Sequence, residues 1–225
     1  TAGSGASPDA RLQVRGDTYA RAKMQVLGTH NDDNPVGLTL AKSRGSGNTI
    51  LGDNDDIGQI DFAGNDGNGF HNVGRIMVSS SGEGNGNDDL PSVMRFFTTA
   101  NGGVSLTERM RISSGGNIGI GNRTSSPDNL LHVHTSSGDS VIHVEAAADP
   151  KIRLRAHSGE SIVQFADAAS SNPGEINYVH SGDYLKFRVN AAERMRIRSD
   201  GHLQLQQGLT GLSGGGVIVC AAKSS

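Results

Sequence analysis

Apolar and polar residues alternate in short runs along most of this chain, and clusters of Gly, Asn, Asp and Ser break the runs. Alternation with a period of two predicts half-buried strands. Residues 12–15, 22–26, 38–40, 60–62, 76–78, 131–134, 142–144 and 152–155 all read this way. Helical periodicity has one hint, Ala146-Ala147-Ala148, and Pro150 stops it at once. The pattern predicts an all-β chain.

One stretch occurs twice. Glu108-Arg109-Met110-Arg111-Ile112 returns letter for letter as Glu193-Arg194-Met195-Arg196-Ile197. Each copy follows an alternating run (94–98, 185–189) and precedes a Gly-bearing turn and a second short alternation. Strand, turn, motif, turn, strand is a β-meander, and a self-similar unit governs how the rest is read. Outside the meanders, 38–41 matches 152–155 and 58–62 matches 174–178. Those outer matches are 114 and 116 residues apart and the meanders 85, which assigns 31 extra residues to the first module, between Phe62 and Met94. The expected organisation is an N-terminal linker with shaft strands (1–35), a first β module (36–149) with an inserted loop (63–93), a second β module (150–207), and a Gly-rich C-terminal strand segment (208–225). Extra loops on a repeated scaffold are where recognition is grafted.

Composition sharpens this picture. The chain has no Trp, 3 Tyr and 6 Phe against 32 Gly, and a single cysteine, Cys220, rules out an intrachain disulfide. Short strands with so few large side chains bury little apolar surface alone, so partner chains are expected to supply the rest. The formal charge of −3 gives no basic footprint for nucleic acid and no polybasic membrane contact. No apolar run approaches the length of a membrane-spanning helix. Residues 1–10 read as a linker, without the charged and apolar regions of a signal peptide.

Candidate chemistry is sparse. The acidic clusters Asp32-Asp33, Asp53-Asn54-Asp55-Asp56 and Asp88-Asp89 could offer oxygens to calcium, but no full calcium-loop pattern is present, and Asp and Asn favour turns for backbone reasons. His132 and His134 share one strand face, with His143 placed to join them; they read as a polar face or as an ion site around an oligomer axis. Neither a nucleophile elbow nor a complete phosphate loop occurs, so no catalytic residue, metal or cofactor is assigned. Cys220, in an apolar run, reads as a small buried hydrophobe. In a regular strand Arg109 and Arg111 share one face, and Glu108, Met110 and Ile112 the other. The arginines are then expected to meet carboxylates of a neighbouring strand and fix register between chains, with an anionic sugar as the competing reading.

The phrase Glu-Arg-Met-Arg-Ile, then Ser113-Ser114-Gly115-Gly116-Asn117, Ile118-Gly119-Ile120-Gly121, Ser126-Pro127 and Leu131-His132-Val133, resembles bacteriophage tail-fibre proteins. The resemblance covers most of residues 36–210, and the second copy departs from it where His202-Leu203-Gln204-Leu205 replaces the Ile-Gly alternation. It implies a homotrimeric, intertwined β-rich fibre in the virion tail, without an enzymatic role, that contacts other tail proteins and recognises the bacterial surface. The receptor would be a polysaccharide or an outer-membrane protein. A fibre-borne depolymerase and a purely structural shaft are the competing classes. Many such fibres release a C-terminal chaperone by self-cleavage, so this chain is expected to be the product of such release or to have been cut at that junction. Candidate receptor-binding residues are Asn65, Asp66, Asn68, Phe70, His71 and Asn72 in the first module and Tyr178, His180 and Tyr184 in the second. Glu108 to Ile112 and Glu193 to Ile197 are assigned to the scaffold and its register between chains.

Overall fold

The structure, a computed structural model, describes residues 24–29, 31–45, 49–82, 89–121, 126–167 and 174–205. The expected segment 208–225 with Cys220, the strand at 12–15 and Asp88 lie outside them. The chain divides into two compact units, Thr1–Ile142 and His143–Ser225. All regular structure among the described residues is β, as the alternation predicts.

The first unit holds a six-stranded sheet in sequence order: β1 (Asp56–Asn65), β2 (Phe70–Ser80), β3 (Ser92–Thr99), β4 (Leu106–Ile112), β5 (Ile118–Gly121) and β6 (Leu131–His134). Every neighbouring pair is antiparallel except β5 and β6, which run parallel. The second unit holds an antiparallel five-stranded sheet, β7 (Glu160–Phe165), β8 (Gly174–Val179), β9 (Tyr184–Val189), β10 (Ala192–Ile197) and β11 (Leu203–Leu205).

Register shows that the two sheets are one design. Phe96 opposes Met110 and Phe187 opposes Met195; Ile112 opposes Ile118 and Ile197 opposes Leu203. One strand further out, Ile76 opposes Phe96 as Ile176 opposes Phe187, so β2 is the counterpart of β8 and β1 of β7. Phe62 lies across from Gly74 as Phe165 does from Gly174, and each ring lies within 4 Å of where that glycine's Cβ would be. Covering a strand glycine with a cross-strand ring restores the packing the glycine lacks.

This corrects two expectations. Segment 63–93 is not an inserted loop, because residues 63–65 close β1 and β2 occupies Phe70–Ser80. Matching 58–62 to 174–178 is likewise displaced by a strand, since Gly-x-Ile of β8 corresponds to Gly74-Arg75-Ile76. The outer match of 38–41 to 152–155 agrees with the geometry. Leu40 fills the space beside Gly58, and Leu154 accepts a hydrogen bond from Ser161 Oγ at 3.2 Å, Gly58 and Ser161 being equivalent. Segments 38–40, 142–144 and 152–155 nevertheless form no ladder among the described residues. Alternation marks a segment able to pair, whereas a ladder also needs an edge to pair with.

Each sheet is two-sided. One face carries Ile60, Phe62, Ile76, Val78, Met94, Phe96, Met110, Ile112, Ile118 and Ile120 in the first unit. Its equivalent in the second carries Val163, Phe165, Ile176, Leu185, Phe187, Met195, Ile197, Leu203 and Leu205. These faces are largely uncovered: Phe62 is 54% exposed and Phe165 56%, and the buried hydrophobic residues are Leu51, Met77 and Val179 among those described. The opposite faces carry charge, arranged in the second unit as a connected ladder. Arg188 Nη1 donates to Glu175 at 2.6 Å, Asn177 Nδ2 to Glu160 at 2.7 Å, and Lys186 Nζ to Glu160 at 2.7 Å.

Candidate functional site

The β1–β2 hairpin tip gathers most of the predicted first-module residues, and its turn is built by their side chains. Asn65 Oδ1 accepts the N–H of Gly67 at 2.8 Å, while Asp66 Oδ1 accepts those of Asn68 at 2.9 Å and Gly69 at 3.2 Å. Gly67 takes φ +99°, a conformation that side chains disfavour. Asp and Asn therefore perform turn chemistry here. The Asn68 N–H, ahead of the nearby His71 ring, holds the Asp66 carboxyl below its usual range. The second Asp66 oxygen, Oδ2, lies 3.4 Å from His71 Nε2.

A groove of about 210 Å³ opens beside this turn. Asn65, Asp66, His71, Asn72 and Val73 line it, joined by Thr99 at the end of β3 and by Gly103 and Val104 of the β3–β4 connection. Sequence reasoning missed the last three; their only signal was their place in a turn of the neighbouring hairpin. Thr99 Oγ1 donates to the Asn72 carbonyl at 3.2 Å and ties the end of β3 to β2 beside the groove. Asn68 and Phe70 stand outside the groove lining, and Phe70 is exposed.

Strand parity separates the second-module candidates. Tyr178 and His180 meet edge to face at 5.0 Å; Ser161 Oγ lies 3.0 Å from His180 Nε2, and the Tyr178 hydroxyl donates to Asp183 at 3.1 Å. Tyr184 sits on the opposite, charged face, with the Arg196 guanidinium 4.4 Å from its ring centre. A single site made of all three does not form.

The repeated motif departs from the expected face assignment. Register slips by one residue between Phe96 and Phe97 on β3, where Met110 and then Glu108 are opposed, leaving Arg109 as the extra residue of a β-bulge. The same slip occurs between Glu193 and Met195. The bulge reverses the alternation, so Glu108 joins Arg111 on the charged face and Glu193 joins Arg196. Each arginine then grips the glutamate of its own strand through Nε and Nη2 rather than reaching for a neighbour's carboxylate. The bulged arginines turn to the adjacent strand, Arg109 Nε to Thr98 Oγ1 at 3.0 Å and Arg194 Nε to the Val189 carbonyl at 3.3 Å.

Other candidates have local partners. Asp55 receives Arg44 Nε at 2.5 Å and the Gly52 N–H at 2.8 Å, with Lys42 Nζ at 3.5 Å, so this acidic turn anchors the segment before β1. Arg44 first and then Gly52 lower its pKa to about 2. The rings of His132 and His134 meet at 6.0 Å on the charged face, with Asp128 3.6 Å from His132. Among the described residues no group of three His, Cys, Asp or Glu converges as a metal site would require.

No family model and no curated protein matches the chain. Among solved structures, its all-β fold is that of a phage tail-fibre domain. Similar structures include the carboxy-terminal domain of the bacteriophage T5 L-shaped tail fibre (TM-score 0.64, 11% identity, covering 89% of this chain and 98% of that one) and the same domain with its intramolecular chaperone domain (TM-score 0.61, 12% identity, covering 88% and 68%).

Proposed function

We propose that this chain is a distal, non-enzymatic piece of a virion tail fibre, that three copies associate, and that its loops attach the virion to the bacterial surface. The uncovered apolar faces carry this reading. Both sheets present one, and contiguous exposed apolar area on this scale belongs to an interface. Two further copies are the occupants that a fibre supplies, and their strands would also cover the open sheet edges. Segments 142–144 and 152–155 fit the same intertwined assembly, because they alternate yet join no ladder among the described residues.

Packing the apolar faces together turns the charged faces and hairpin tips outward. The groove at Asp66, His71 and Asn72 then suits a receptor on the cell, either a polysaccharide or an outer-membrane protein. Other tail proteins are the remaining partners. Light scattering tests the assembly: three chains of 23.4 kDa give about 70 kDa, and a stable 23.4 kDa particle would overturn it. Labelled protein applied to a panel of bacterial strains tests attachment. Sustained release of reducing ends from a bound polysaccharide would instead establish a depolymerase.

A further inference from the structure

The structural repeat also repeats a cleft. In the first sheet a cleft of about 320 Å³ lies on the charged face at the β4–β5 turn, lined by Arg111, Ser113, Ser114, Arg95 and Val93, with Asp53 and Asn54 across the opening. In the second sheet a cleft of about 320 Å³ lies at the β10–β11 turn, lined by Arg196, Arg198, Ser199, Tyr184 and Gln204. Register makes Arg111 equivalent to Arg196 and Val93 to Tyr184. The turns share their backbone hydrogen bonds. Ser113 N–H donates to the Asn117 carbonyl and Arg198 N–H to that of His202, both at 2.9 Å; Gly116 and Gly201 close the turns at φ +81°.

The two clefts share chemistry as well as position. The glutamate of each motif occupies Nε and Nη2 of its arginine, and among the described residues nothing accepts from Nη1. Each guanidinium is thus rigidly held beside the cleft with a donor to spare, the preorganised fork that oxyanions favour. The first cleft adds Arg95, whose Nε is buried with no acceptor among the described residues, while Nη2 donates to Ser79 Oγ at 2.5 Å and lies 3.6 Å from Asp56. The second adds Arg198, whose Nη2 lies 3.4 Å from Asp200. Hydroxyl and amide groups complete both linings, the equipment for sugar hydroxyls rather than for an apolar protein anchor.

We propose that these clefts form a repeated site for an oxyanion carried on a surface glycan, either the carboxylate of an acidic sugar or a phosphate substituent. The proposal rests on the cell-attachment reading above and adds the ligand class and a second location distinct from the hairpin tip. Repetition suits a polymeric ligand, because a second engagement by the same polymer multiplies a weak first one.

The test uses the full chain and a panel of acidic bacterial polysaccharides, each assayed intact, with its carboxylates reduced to alcohols, and with its phosphates removed. Binding that falls more than tenfold on one of those treatments supports the site and tells carboxylate from phosphate. Two variants alter only turn side chains, Arg198→Ala with Ser199→Ala in one cleft and Ser113→Ala with Ser114→Ala in the other. Each is expected to weaken binding several-fold and the combination by more than tenfold, with the mass in solution unchanged. Equal binding to intact and neutralised polysaccharide, binding indifferent to the variants, or no panel member bound would overturn the proposal. Continued attachment of the combined variant to whole cells would separate that failure from failure of the attachment reading, which absence of wild-type binding to any strain would show.

Discussion

Arg196 closes on Glu193 of its own strand, with Nε to Oε1 at 2.5 Å and Nη2 to Oε2 at 2.7 Å. Residues three apart in a regular strand point to opposite faces, so this clamp exists only because Arg194 is bulged out of the ladder. Arg111 and Glu108 repeat it in the first sheet. The bulge and the ion pair therefore stabilise each other. Replacing Glu193 by Gln is expected to destabilise the second sheet by about 1 kcal/mol, the upper end for a partly exposed bidentate pair. Denaturant unfolding of Glu193→Gln, Arg196→Gln and the double variant measures this; additive effects would mean that the pair is uncoupled.

The β9–β10 hairpin turns on Asn190 and Ala191, both at positive φ (52° and 55°). Two such residues in a two-residue connection favour Asn-Gly, and alanine is strained at the second. Ala191→Gly is expected to stabilise the protein by about 1 kcal/mol, read as a raised melting temperature.

Gly121, at φ +110°, lies against β6 so closely that a Cβ would stand 1.7 Å from the His134 carbonyl oxygen. That atom is backbone and cannot step aside without moving β6, which pairs parallel with β5. Gly121→Ala is expected to cost roughly 2 kcal/mol or more and to raise amide exchange in β6 selectively. Unchanged exchange there would contradict the contact.

Asp55 supplies a pH signature. Its folded pKa of about 2 lies below the ordinary 3.8, so the folded state favours the ionised form. The contribution is complete above the ordinary value and is lost as pH falls through the interval toward about 2. Proteolysis near Lys42 and Arg44 should accelerate over that interval, and Asp55→Asn should show the faster rate already at neutral pH.

Class and repetition were readable from period-two alternation and from two identical pentapeptides, because side-chain parity is written directly into sequence. The arginine faces were not, since a bulge reverses parity without leaving a distinctive residue; Arg109 looks like any strand arginine. Tyr178 and Tyr184, both offered as receptor candidates, occupy opposite faces because β8 pairs with β9 so that Val179, not Tyr178, meets Tyr184. At the hairpin tip, Asn65 and Asp66 stood out as turn formers and polar groups at once. Thr99 and Val104, which complete that groove, come from the next hairpin, and only three-dimensional pairing brings them there. The true partner of β8 was concealed because Ile60-Asp61-Phe62 looks more like Ile176-Asn177-Tyr178 than Ile76-Met77-Val78 does.

The single extra residue in β4 and in β10 also sets what kinds of change these sheets accept over time. Turns here vary freely in length between the two copies, as the connections after β2 and β3 do. The bulged position is the tolerant one: deleting Arg109 or Arg194 leaves Glu108 opposite Phe97 and Glu193 opposite Arg188 in an unbroken ladder, with each glutamate still on the charged face. A residue lost or gained at any other point of these two strands exchanges inside for outside beyond it. Length can therefore change at the rims and at this one place inside the sheet.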